Sequence, residues 1–291
     1  MPSDTDDRFT ALFGRAPADE STLSIEELRA ADGAWAMAAT EPDGVVYRPV
    51  DAGGIAAEWT VPEGADPERV LLYLHGGGYS LGSIRSHRRL VGHLAKAAGA
   101  PAFSVEYRLA PEHPFPDGLE DAVTSYSWLL EQGLDPAHVA LGGDSSGGGL
   151  ALATALAVRE RGLPGPAGLV LLSPWTDLAS TGASLAGKID AARVRRIAWY
   201  AGDKDVRDPL ISPLYADFTG FAPFVVHVGG AELLLDDSTR LAERAEAAGC
   251  EVAIEIWPEM PHVFQLAAGN VVQADASVAA LGAWLSKRLA G

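Results

Sequence analysis

From Val45 onward the chain falls into eight short runs: VVYRPV, AAEWTV, VLLYLH, APAFSVEY, HVALGG, GLVLLSPW, FVVHVGG and VAIEIWP, each bounded by Gly, Pro or Asp. Between the later runs lie helical patterns, SHRRLVGHLAKAAG, GLEDAVTSYSWLLEQG, GGLALATALAVRERG and STRLAERAEAAG. A strand covered on one face alternates apolar and polar residues, whereas a nearly continuous apolar run needs cover on both. Helices alternating with strands supply that cover, so the pattern predicts an α/β fold around a parallel sheet. In such sheets the chemistry gathers beyond the carboxyl ends of the strands.

The 291 residues, 48% of them hydrophobic, suffice for one large core. Residues 1–44 have a different texture and read as helices capping a main domain at 45–291. Within them TLSIEELRAADGAWAMAA places Ser24 as an N-cap with Glu27 three residues on, a capping-box spacing. No run approaches the twenty or so apolar residues of a membrane span, and the acidic start MPSDTDDRF is unlike an export signal. The expected location is cytoplasmic, with no membrane partner. The single cysteine, Cys250, reads as a structural thiol.

A formal net charge of −17 disfavours nucleic acid as a partner. The basic segment RVRRIAW, from Arg193, is expected to be the solvated face of a helix. Asp203, Asp205 and Asp208 lack the glycine and terminal glutamate of a calcium loop and read as surface loop.

Gly143-Asp144-Ser145-Ser146-Gly147 matches G-x-S-x-G between a strand run and a helical pattern. A turn this sharp brings two backbones together, so the flanking residues must lack a Cβ and the central side chain projects outward from a strained posture. No phosphate-loop lysine or dinucleotide spacing accompanies the glycines. The run VLLYL leads into His75-Gly76-Gly77-Gly78, a second glycine turn at a strand end. Glycines let main-chain N–H groups converge on an oxyanion, so Gly76 and Gly77 are the expected donors, with the N–H of Ser146. Ser145 is the expected nucleophile.

A serine hydroxyl needs a base, and the base an orienting carboxylate. In the Ser, acid, His order of this strand-turn-helix arrangement, only His227 and His262 follow the serine. His227 sits inside FVVHVGG and reads as a core histidine; His262, in EMPHVF after the last strand, reads as the base. For the acid, Glu232 follows FVVHVGG most closely, with Asp236 as the alternative; Asp236 and Asp237 also suit the start of the next helix.

The ordered motifs YLHGGGYSLGSIRSHR, EYRLAPEHPFPDGLEDA, GGDSSGGGLALA, SPWTDL and EIWPEMPHVFQ resemble the bacterial hormone-sensitive lipase family of α/β-hydrolase esterases. The resemblance runs from about Val45 to the last strand and beyond. It implies an α/β-hydrolase fold with an eight-stranded, mostly parallel sheet and an N-terminal helical cap. It also implies hydrolysis of short- to medium-chain acyl esters of small molecules, no cofactor, and homodimers paired along the last strand. Glu232 falls at the position of the family's acid. The segment 181–210 is shorter than the family's second cap stretch, and Ser146 stands where alanine is common. An amidase using the same serine and a non-catalytic receptor on the same fold are the rival functions, the latter disfavoured by His262.

Overall fold

The computed structural model describes residues 20–291. A single turn of 3-10 helix, Glu20–Thr22, leads into α1 (Ile25–Ala31) and a second 3-10 segment, Asp32–Met37. The capping box is reciprocal: Glu27 N–H donates to Ser24 Oγ (3.2 Å) and Ser24 N–H to Glu27 Oε2 (2.8 Å). The part of the expected cap before Glu20 lies outside the described residues.

The eight expected strands are all present: β1 (Val45–Asp51), β2 (Ala56–Pro62), β3 (Val70–Leu74), β4 (Ala102–Val105), β5 (Val139–Asp144), β6 (Gly168–Leu172), β7 (Phe224–Gly229) and β8 (Val252–Trp257). They form one sheet in the order β1-β2-β4-β3-β5-β6-β7-β8. β2 pairs antiparallel with β1 and β4; every other pairing is parallel. Six further helices follow α1: α2 (Ile84–Ala98), α3 (Asp117–Glu131), α4 (Ser146–Glu160), α5 (Ala191–Ala201), α6 (Leu235–Ala247) and α7 (Val272–Arg288). This is the α/β-hydrolase architecture.

Every residue of β3, β5, β6 and β7 is buried, which is why their sequences lack alternation. Alternation survives as a division between two cores. Leu72, Leu74, Leu141, Leu169, Leu171 and Val226 join one apolar cluster, while Leu71, Tyr73, Ala140, Val170, Leu172 and Val225 join the other on the opposite face. Truncating one of these leucines to alanine would cost roughly 2 to 5 kcal/mol. At the edges, β1 and β8 revert to partial exposure, and among the described residues β8 pairs only with β7.

The C-terminal helix α7 has no counterpart among the sequence expectations. Its pattern is diluted by small residues, and the close approach they allow is what fixes it: a Cβ at Gly282 would overlap Ala97 of α2. No helix among the described residues is long and apolar enough to cross a membrane.

Candidate active site

β5 ends at Asp144 and α4 begins at Ser146, so the whole reversal is left to Ser145, at φ 51° and ψ −122°. An L-residue adopts such a posture only when its surroundings enforce it. Here Ser145 N–H donates to Leu172 O (2.8 Å), and Ser145 O accepts from Trp175 N (2.7 Å) and Gly149 N (3.2 Å). A Cβ on Gly143 would stand 2.5 Å from the carbonyl carbon of Gly147 and from Leu74 O, and one on Gly147 would overlap Leu74 O outright. Strand and helix touch backbone to backbone, and the serine side chain is directed away from the crowding.

Two more loops arrive at Ser145. His262, between β8 and a short 3-10 turn, places Nε2 2.9 Å from Ser145 Oγ. Its Nδ1 lies 2.8 Å from Glu232 Oε1. The Glu232 side chain is fully buried. Its other oxygen, Oε2, accepts from Ser173 Oγ (2.6 Å) and Gly229 N (2.8 Å), so the carboxylate cannot swing. A Cβ on Gly229 would overlap Met260 O; its absence lets the loops after β7 and β8 lie side by side. Burial by itself would depress the His262 pKa. The charge and hydrogen bond of Glu232 outweigh it, so the imidazole titrates above its ordinary 6.5.

The other expected acid is engaged elsewhere: Asp236 Oδ2 accepts from Ser184 N (3.0 Å). Its neighbour Asp237 accepts through Oδ2 from Thr176 N (2.9 Å) and Asp177 N (2.8 Å), and burial pushes it up to about 7. His227 is the core histidine expected, with Nδ1 2.8 Å from Ser277 Oγ and a pKa that burial lowers to about 4. Cys250 is buried as well.

One expected donor is corrected. Gly76 N–H already donates to Asp144 Oδ1 (2.9 Å), so it is not open to an oxyanion. Gly77 and Gly78 line the cavity above Ser145, and neither N–H meets an acceptor among the described residues. Both glycines have positive φ, 124° and 63°. Ser146 heads α4, and its hydroxyl accepts from Tyr79 N (3.2 Å), tying the glycine turn to the serine turn.

Asp144 is the residue that sequence reasoning passed over. It is the unspecified position of G-x-S-x-G, and its buried carboxylate also takes Tyr73 OH (2.8 Å) and His87 Nε2 (3.2 Å). Burial would raise its pKa, but His87 and these donors prevail and hold it low. A carboxylate ending a wholly apolar strand was the available signal. His75 stacks 4.4 Å from Tyr107 and bonds Gly76 O through Nδ1 (2.8 Å); burial lowers it to about 3, so it is a neutral framework group.

The basic helix is the second correction. In α5 it is Val194 that faces water, 55% exposed, while Arg193 and Arg196 line the cavity. Flat ring faces and carboxylates accommodate the guanidinium groups: Arg193 lies 4.4 Å over Trp175, Arg195 lies 4.6 Å over Trp199, and Arg196 pairs with Glu20. The cavity, about 700 Å³, is floored by Ser145, Gly77 and His262 and walled by Trp35, Trp175 and Leu234.

Residues 71–266 match the family described as alpha/beta hydrolase fold. An acetyl-hydrolase of Streptomyces hygroscopicus is 48% identical over 222 residues, 74% of each protein. A crystal structure of an esterase from the bacterial hormone-sensitive lipase family superposes with a TM-score of 0.92 at 40% identity, covering 99% of both chains. That of EstE5 soaked with p-nitrophenyl butyrate gives 0.93 at 34% identity over 100% of both. With this sheet, this serine turn and these relatives, the chain belongs to the α/β-hydrolase family as a serine-type carboxylesterase closely related to the bacterial hormone-sensitive lipase group.

Proposed function

We propose that Ser145, His262 and Glu232 form the catalytic triad of this esterase. One observation carries it: an unbroken chain from Ser145 Oγ through the imidazole to Glu232 Oε1, with separations of 2.9 and 2.8 Å. Ser145 Oγ attacks the ester carbonyl while His262 Nε2 takes its proton. The imidazolium then protonates the departing alcohol, leaving an acyl group on Ser145. Water, deprotonated by the same nitrogen, attacks the acyl-enzyme, and the carboxylic acid leaves as Ser145 regains its proton. Glu232 keeps the proton on Nδ1 and offsets the charge that develops on the ring. The N–H groups of Gly77, Gly78 and Ser146 receive the oxyanion, each donor contributing roughly 10²- to 10³-fold in rate.

The proposed substrates are small esters with short- to medium-length acyl groups, in keeping with a cavity of about 700 Å³ closed by indole rings. Residues 20–44 and the 181–210 segment act as the two parts of a cap over that cavity. Arg29 secures the first part to the main domain through Ser80 O (3.0 Å), Ala110 O (3.1 Å) and Glu112. Pairing of two copies along β8, the last strand of the sheet, on which Ile256 is 46% exposed, is proposed for the assembly and is checked by sedimentation.

The decisive test is covalent trapping. A p-nitrophenyl alkylphosphonate is expected to release one equivalent of nitrophenol and leave its adduct on Ser145 in peptide mapping; an adduct on another residue refutes the assignment. Rates across p-nitrophenyl esters from acetate to palmitate should peak among the shorter chains.

A further inference from the structure

The chain carries 39 acidic against 22 basic residues, yet three cations, Lys188, Arg193 and Arg196, line the cavity that holds Ser145. Arg196 is paired with Glu20 and Lys188 stands exposed at the rim. Arg193 is different. Its Nε donates to Ser180 Oγ (3.1 Å) and its plane rests on the Trp175 ring, so the guanidinium is held in one orientation. Neither terminal nitrogen meets an acceptor among the described residues, and Nη2 is buried without one.

The carboxylates around it are committed to other groups. Asp177 pairs with Arg240 (3.0 Å), Asp190 caps α5 by accepting Arg193's own N–H (2.7 Å), and Asp237 Oδ2 takes two backbone donors. Asp237 Oδ1 is itself without a donor, but it forms no ion pair with Arg193. Burial lowers the Arg193 pKa, an effect that Asp237, Asp177 and Asp190 only oppose from a distance. A fixed planar cation with unused N–H groups is a receptor for a carboxylate. It is also within electrostatic reach of His262, whose protonation its charge disfavours.

We propose that Arg193 recognises a carboxylate carried by the substrate, so that the preferred esters bear an ionised acid group near the scissile bond, on either their acyl or their alcohol part. The proposal rests on the catalytic assignment above for its substrate, although anion binding itself does not require it.

The test compares matched pairs. Mono-p-nitrophenyl succinate against p-nitrophenyl butyrate places the acid on the acyl side; 4-acetoxybutanoate against butyl acetate places it on the alcohol side. In one pair, the ratio of kcat/KM for the acid-bearing ester to that for the neutral one should fall about tenfold or more in Arg193→Met. Arg193→Lys should fall less, and added salt should lower the wild-type ratio. A general loss of activity cancels in the ratio. Unchanged ratios in both pairs, with a lowered melting temperature, would overturn the proposal and leave Arg193 as a structural counter-charge to Asp237. Calorimetric binding of glutarate to the Ser145→Ala protein, lost on adding Arg193→Met, reads anion recognition independently of catalysis. Absence of binding to Ser145→Ala would count against the proposal even if Ser145 is the nucleophile.

Discussion

Beneath the cavity, Gly143 and Gly147 leave no room for one further carbon, because Leu74 O and the neighbouring backbone already occupy it. Above it, Arg195 and Arg196 reach Glu20 through long, partly exposed side chains, Arg195 Nη1 also donating to Leu23 O (3.0 Å). The floor is specified by backbone contacts that tolerate almost no displacement. The roof is specified by ion pairs and ring contacts, which salt screens and side-chain motion loosens. A hydrolase needs both: the groups proposed to react and to hold the oxyanion must keep their geometry through the reaction, while substrate must still enter and product leave.

Four expectations test the contrast. The largest concerns the floor's reacting atom: Ser145→Ala should lower kcat for p-nitrophenyl butyrate by about 10⁶-fold with an unaltered circular dichroism spectrum. Near-normal turnover would remove the floor from the chemistry altogether. Glu232→Gln should follow at about 10⁴-fold, since Nδ1 would then face an amide able to donate as well as accept. The same variant carries a pH signature. With Glu232 present the imidazole titrates above 6.5, so kcat/KM rises with pH through a midpoint above that value. Without the carboxylate, burial is the dominant influence and the midpoint should move to lower pH; a midpoint that stays put would mean that Glu232 does not act on His262.

Third, Gly147→Ala should destabilise the fold by about 3 kcal/mol, at the upper end of overpacking costs, because its Cβ meets backbone with no flexible neighbour to yield. Urea unfolding measures this directly. The smallest effect belongs to the roof. Arg196→Gln breaks a pair whose partners are 22% and 29% exposed, so stability should fall by about 1 kcal/mol or less. KM should change by a few-fold and more than kcat. If Arg196→Gln costs as much as Gly147→Ala, the roof is no looser than the floor and the contrast fails.

The two corrections fall on opposite sides of the same divide. HGGG marks a turn of converging N–H groups because glycine reports on its own backbone. The register of the free donors, however, depends on Asp144, which lies 68 residues away and captures the N–H of Gly76. Arg193 and Arg196 read as a solvated face because charge normally seeks water. Trp175 and Glu20, remote in sequence, provide the ring and the carboxylate that turn them inward. The C-terminal helix escaped notice for a related reason: its packing against α2 depends on Gly282 meeting Ala97, a contact of small residues that leaves little trace in an apolar period.

Taken alone, the sequence determined what is local: the eight strands, the α/β layering, the strained serine between two glycines, and a histidine placed beyond the last strand. Steric exclusion and burial act through neighbours in the chain, so residue types reveal them. The tertiary structure decided what depends on partners brought together by folding. It brought Glu232, rather than Asp236, to His262 Nδ1 by packing the β7 and β8 loops together across Gly229, left the N–H groups of Gly77 and Gly78 without acceptors among the described residues, and faced the arginines inward. Hydrogen bonds and ion pairs are claimed by whichever group arrives, and sequence spacing carries no record of which one does.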